Sequence, residues 1–297
     1  MKRFVKTALL LALAVMLILF ITSCRPEENL PPATESVSRI ISIGPANTEI
    51  ISALGFAAEI IAADTFSEGI RWLNPDIYLF DMMAPDVERM IALEPDIVFV
   101  TAMSSEAPGG GVYSALENVG INVVYTLPVD SGINEIITNI EIISLVLRAE
   151  SRAADIINEM RVAMIEIEEK SERITDRRTV YFEIFPGTPL FSFGSGVFLN
   201  EMLELIGADN ILADQNGWLH VSDEVIIAAN PDVILVNYYF GEDPVAGILS
   251  RPGWADITAV RNGDVHRIDT DTSSRPSHRI VEALREMAAT IYPEVFG

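Results

Sequence analysis

Two stretches decide the fold: residues 92–100 read ALEPDIVFV and residues 228–236 read AANPDVILV. In each, a helix-compatible run stops at proline, and an aspartate then leads into four apolar residues. Proline drives the residue before it out of the helical region, so it marks a helix end. A short apolar run between breakers reads as a buried strand. A helix, a sharp stop and a buried strand, met twice, is the rhythm of a parallel sheet covered by helices.

The match extends upstream. Glu88 lies seven positions before Pro95, and Glu224 lies seven before Pro231. Glu49 precedes Gly55 by six, and Glu201 precedes Gly207 by six. One such match would suit any helix–Pro–Asp–strand unit. The series, in the same order, implies two lobes of similar build.

The rest of the chain fits around these units. Residues 39–44, 59–63, 97–101 and 122–125 read as strands, and 49–54 and 86–93 as helices. Residues 71–85 look irregular, with Pro75 and Pro85 as breakers. Residues 131–147 carry Ile133, Ile136, Ile137, Ile140, Ile143 and Val146 at helical spacing, and a second helix follows over 153–172. The alternation resumes with 179–184, 198–206, 222–229, 233–237, 265–268 and 277–291. The expected fold is α/β: two Rossmann-like lobes with parallel sheets, residues 39–130 and 150–297, joined by a single long linker helix over 131–149. Ligands of open α/β sheets bind beyond the carboxyl ends of the strands, so the ligand cleft is expected between the lobes.

The N-terminus reads as a targeting segment. Lys2, Arg3 and Lys6 precede an apolar run over residues 8–21, then Thr22, Ser23 and Cys24. A basic start, a short apolar stretch and small residues describe a secretory signal, and the run is short for a membrane span. Cys24 is the only cysteine. Its setting resembles a bacterial lipobox, with Ile21 where leucine is usual. The resemblance implies a signal peptide over 1–23 and a lipidated Cys24. Residues 24–38, rich in Pro, Glu, Ser and Thr, are expected to be a flexible tether. A lone cysteine forms no internal disulfide.

The chain has 20 basic and 43 acidic residues, for a net charge of −23. Loss of residues 1–23 would remove three basic residues and no acid. Such a surface repels nucleic acid and anionic lipid, which excludes a phosphate-backbone binder.

Residues 42–56 (SIGPANTEIISALGF), 92–100, 201–211 (EMLELIGADNI), 218–224 (WLHVSDE) and 260–268 (VRNGDVHRI) resemble the solute-binding proteins of ABC importers for vitamin B12, ferric siderophores and haem. The similarity to the cobalamin-binding members is strongest around Pro45–Glu49. It implies a monomeric, extracytoplasmic binding lipoprotein, anchored to the cell membrane by lipid, and not an enzyme. It implies no resident cofactor; the cargo is a cobalt or iron chelate, handed to a permease dimer with its ATPase. Family members offer one acidic side chain per lobe to permease arginines, and Glu88 and Glu224 stand at those positions. An exposed carboxylate can pair bidentately with arginine.

By the same resemblance, Phe66, Phe191, Trp218, Asp271 and Arg275 fall at ligand-facing positions. Phe185, beside the PGTP turn at 186–189, and Tyr238, at a strand end, join them as cleft candidates. Trp218 is placed in a polar loop, and Arg275 at the opening of the final helix. Aromatic faces suit flat rings, and Arg275 suits carboxylate, phosphate or catecholate. The cobalamin-binding members carry a tryptophan where this chain has Met82 and Met83. That leaves corrinoid, siderophore and haem all open.

Two other classes compete. A zinc or manganese transport protein would draw on His220, His266 and His278, of which His220 and His278 could approach across the cleft, but no His-x-x-His spacing exists. A chelatase-like enzyme would need catalytic groups; Gly194-Ser195-Gly196 is not a nucleophile elbow, and no Walker or G-x-G-x-x-G loop appears.

Overall fold

The computed structural model describes residues 37–102, 111–129, 132–238 and 243–297. Cys24, the 1–23 segment and all of the 24–38 segment except Val37 and Ser38 lie outside the described residues, as does Tyr239. Among the described residues no helix is long and apolar enough to cross a membrane.

The first lobe is built on β1 (Ile40–Ile43), β2 (Ile60–Asp64), β3 (Tyr78–Phe80), β4 (Ile97–Val100) and β5 (Asn122–Tyr125). They form one parallel sheet in the order β3-β2-β1-β4-β5. β1 and β4, at its centre, are wholly buried, which is why IISI and IVFV show no polar alternation. Helices α1 (Pro45–Ile51), α2 (Val87–Ala92) and α3 (Ser114–Asn118) belong to the same lobe. α1 starts at Pro45 rather than at Glu49, because proline is pre-organised for a first helical turn. Asn47 is buried, and its amide donates to the Ile43 carbonyl at 3.1 Å. β3 lies inside the stretch expected to be irregular.

Two helices follow, α4 (Ile133–Leu147) and α5 (Glu150–Ser171). The second lobe then carries β6 (Thr179–Glu183), β7 (Leu190–Phe193), α6 (Phe198–Ile206), β8 (Asp209–Asn210), β9 (Trp218–Val221), α7 (Asp223–Ala229) and β10 (Val233–Val236). It ends with α8 (Pro244–Leu249), α9 (Thr258–Asn262), β11 (Val265–Arg267), α10 (Thr270–Ser274), α11 (Ile280–Ile291) and α12 (Pro293–Phe296). Its main sheet is parallel, in the order β11-β10-β6-β8. β7 and β9 form a separate antiparallel pair.

The internal repeat is real in three dimensions. β4 neighbours β1 as β10 neighbours β6. The residues before the two prolines, Glu94 and Asn230, both turn left-handed, at φ 46° and 49°. The following aspartates tie each strand to its neighbour through the same kind of backbone clamp.

One hydrophobic core runs through both lobes. Ile40, Ile50 and Phe99 of the first lobe belong to it, with Val180, Phe182 and Leu203 of the second and Ile136, Ile140 and Ile143 of α4 between them. Burial of these side chains holds the lobes to the helix, at roughly 25 cal/mol per Å² of apolar surface. The α4 N-terminus is also capped from the second lobe: Ile133 N donates to the Glu201 carboxylate at 2.6 Å. Gly132 there has φ 146°, which L side chains rarely adopt, and an added Cβ would also displace that carboxylate.

Candidate ligand-binding cleft

The carboxyl ends of β1, β4 and β5 meet those of β6 and β10 around a cavity of about 580 Å³. The first lobe contributes Ala46, Asn47 and Ile50 of α1, Thr101 and Ala102 after β4, and Thr126, Leu127, Pro128 and Val129 after β5. The second contributes Ile184, Phe191, Phe198, Leu199, Trp218, Asn237, Ser273, Ser274 and Pro276. Asn139 reaches it from α4. Among the described residues, none of the lining side chains is charged, and none is His, Cys, Met or Tyr.

The polar lining groups are tied to the scaffold. Asn139 clamps Leu127, accepting from its N–H at 2.7 Å and donating to its carbonyl at 3.0 Å. Asn237 donates to the Ser273 and Ser274 hydroxyls at 3.2 and 3.1 Å. The apolar wall is aromatic: Phe191 stacks on Trp218 with centroids 5.9 Å apart and planes 18° apart. Trp218 sits on β9, opposite Phe193 of β7, and not in a loop. Pairing with β7 fixes its ring at the cavity wall while 40% of its surface stays exposed.

Phe191 and Trp218 are thus the expected residues that line the cavity. Phe185 is exposed beside them and pairs with Phe191 through its backbone. Phe66 is exposed, and its carbonyl accepts from Arg275 Nη2 at 3.1 Å. Tyr238 is buried and donates its hydroxyl to Glu183 at 2.7 Å. Arg275 does not open the final helix; it ends α10, and α11 begins at Ile280. Its guanidinium is held by Glu49 at 3.1 Å and by Asp271 at 2.9 Å. Arg275 and Asp271 therefore pair with each other at the lobe junction instead of lining the cavity.

Glu49 is the residue whose role the sequence did not reveal. It is nearly fully buried, and besides Arg275 it holds Arg279 at 3.1 Å and the Ser277 hydroxyl. The internal repeat had marked its position, together with that of Glu201, without saying what either touches. Both reach across the junction, Glu49 to the second lobe and Glu201 to the start of α4.

A second buried cluster stands behind the cleft. Glu183, at the end of β6, accepts two hydrogen bonds from Arg251, at 2.7 and 2.8 Å. Arg251 lies over the Trp254 ring, 4.2 Å from its centroid. Burial, reinforced by the Glu183 charge, pushes the Tyr181 hydroxyl well above its usual range, and burial does the same to Tyr238.

Glu88 and Glu224 are each the second residue of a helix, α2 and α7, and both are exposed. The Ser222 hydroxyl and Glu224's own backbone N–H hold the Glu224 carboxyl below the usual range. His220 is exposed on β9, 5.0 Å from the Phe191 ring, while His278 is largely buried with Nδ1 unpaired. Burial, then the neighbouring Arg279, pushes His278 down to about 4. Among the described residues no group of three or more His, Cys, Asp or Glu could hold a metal ion.

Comparison with known proteins agrees with this architecture. A substrate-binding lipoprotein of an ABC transporter from Bacillus subtilis, YvrC, is 32% identical over 265 residues, covering 87% of this chain and 81% of its own length. A vitamin B12-binding protein from Vibrio parahaemolyticus is 25% identical over 264 residues, covering 87% and 91%. A solved structure, described as a possible iron-binding periplasmic solute-binding protein from Staphylococcus epidermidis, superposes with a TM-score of 0.76 at 29% identity, covering 87% of this chain and all of that one. These relatives are named as binding and transport proteins, not enzymes. The model of the periplasmic binding protein family matches residues 40–272, and with two α/β lobes facing one cleft the chain belongs to that family.

Proposed function

We propose that this chain is the extracytoplasmic solute-binding lipoprotein of an ABC importer, and that it captures a metal chelate, a corrinoid or a ferric siderophore, for delivery to a permease. The observation that carries this reading is the cavity of about 580 Å³ between the ends of two parallel sheets, walled by Phe191 and Trp218 and with no charged side chain among its described lining residues. Concave apolar sites with a few fixed polar groups suit organic ligands, and stacked rings suit flat ones. Among the described residues the cavity lining includes no His, Tyr, Cys or Met, the side chains that take an axial place on haem iron, which favours a coordinatively saturated chelate. The relatives' names, a vitamin B12-binding protein and a possible iron-binding protein, support the same ligand class. Cys24 would carry the lipid, as the name of the B. subtilis relative suggests for that protein. Glu88 and Glu224, at matching positions in the two lobes, would dock on two permease subunits.

The test is a thermal-shift screen of the full chain in detergent against cobalamin, cobinamide, ferric hydroxamates, ferric catecholates, haem, Zn²⁺ and Mn²⁺. A ligand at 100 times its Kd adds about 2.7 kcal/mol of stability. A response to a chelate supports the reading; a response to free metal alone, or to nothing, overturns it.

A further inference from the structure

We infer that Glu49 determines which chelates the cleft accepts: by holding Arg275 it strips the cleft margin of available positive charge, so the site favours neutral chelates over anionic ones. The inference rests on the chelate-capture reading above. Arg275 stands between Ser274 and Pro276, which both line the cavity. Glu49 stands on α1 between Asn47 and Ile50, which also line it. Both partners are thus carried on segments that line the cavity, and their balance of charge decides what a ligand there meets.

That balance is negative. Arg275 is shared by Glu49, Asp271 and the Phe66 carbonyl. Arg279 is shared by Glu49 and Glu282. Two guanidinium groups thus face three carboxylates. The Arg275 side chain keeps only 12% of its surface exposed and Glu49 only 2%, so water screens the pairing little. The chain as a whole carries −23, which repels anions further. A ferric tris-catecholate, with three negative charges, or haem, with two propionates, would find no cation to pair with among the described lining residues. A ferric trihydroxamate or cobinamide, without anionic side groups, would lose nothing there.

Removing the Glu49 charge leaves Arg275 with only the half-exposed Asp271 as a charged partner. A guanidinium deprived of its buried partner is costly, and an anionic ligand relieves that cost. The experiment measures Kd for a neutral ferric trihydroxamate, cobinamide, a ferric tris-catecholate and haem, on the full chain and on Glu49→Gln, Glu49→Asp and Asp271→Asn. The wild type is expected to bind a neutral probe and reject the anionic ones. In Glu49→Gln the ratio of anionic to neutral Kd falls tenfold or more, and the gain fades at high salt. Glu49→Asp keeps the wild-type ratio, and the double variant Glu49→Gln/Arg275→Gln loses the gain. Asp271→Asn, on the exposed side, shifts the ratio in the same direction by less and serves if Glu49→Gln does not fold. Folded variants that bind the neutral probe with an unchanged ratio overturn the role of Glu49 and leave the transport reading intact. A wild type that prefers the anionic chelates does the same. A wild type that binds no chelate overturns the transport reading itself.

Discussion

The carboxylates of Asp96 and Asp232 hold matching posts in the two lobes: each accepts a backbone N–H at the start of its lobe's first strand, Arg39 at 3.0 Å and Thr179 at 2.9 Å. The aspartate backbones return the bond, donating to the Arg39 and Thr179 carbonyls at 2.9 and 3.0 Å. Asp96 also accepts from the Ser38 N–H and hydroxyl, at 2.8 and 3.1 Å, and Asp232 from the Thr179 hydroxyl, at 2.8 Å; what separates them is burial, Asp232 being the less exposed. Asp232→Ala should therefore cost about 1–3 kcal/mol in urea unfolding, with Asp96→Ala costing less. Equal costs would mean that burial does not govern this clamp.

Ligand binding should be visible through one tryptophan. Trp72 is 64% exposed, Trp254 is fully buried, and Trp218 alone of the three lines the cavity. Trp218→Phe should keep the stack on Phe191 and abolish ligand-induced quenching. Trp218→Ala should also weaken binding, by about 1 kcal/mol beyond lost contact area. Quenching that survives Trp218→Phe would move the ligand elsewhere.

The Glu183–Arg251 pair should be costly to break. Glu183 is fully buried and Arg251 is largely so. Arg251→Ala or Glu183→Ala leaves the partner buried without its opposite charge, at a cost of about 3–5 kcal/mol. Denaturant midpoints measure this. A loss under 1 kcal/mol would show that water reaches the pair.

Acid should destabilise the protein through His278. Its folded pKa, about 4, lies below the ordinary 6.5, so the folded state binds fewer protons than the unfolded state between those values. The contribution is fully present above pH 6.5 and is lost as pH falls toward 4, at about 3 kcal/mol in all. Arg279 and Arg152 oppose the charged form, while Glu282 and Glu159 favour it. His278→Gln should flatten the fall in unfolding free energy across that window. An unchanged slope would assign acid sensitivity to the carboxylates.

Docking should separate from binding. The Glu88→Ala/Glu224→Ala variant should keep ligand affinity and stability, since both side chains are exposed, while uptake in cells falls at least tenfold. Normal uptake would remove both residues from the permease interface.

Much of the fold was legible because its signals are local. ALEPDIVFV and AANPDVILV carry their own helix stop and buried strand, and the isoleucines of 133–143 carry their own period. The β7–β9 pair escaped notice because strand pairing across 24 intervening residues, 194–217, leaves no periodic trace in strands this short. For the same reason Trp218 was legible as a cleft aromatic but not as a strand residue.

The sequence by itself determined two α/β lobes, the apolar strands within them and the matched glutamates, since hydrophobic period and chain breakers act over a few residues. Only the tertiary structure decided what the charges do. Arg275 looked free to meet an anion; folding brings Glu49, 226 positions away, to its guanidinium and leaves no charged side chain among the described residues of the cavity wall. Desolvation compels a buried arginine to find a carboxylate, but which carboxylate comes within 3.1 Å depends on how the lobes meet, and no local pattern encodes that.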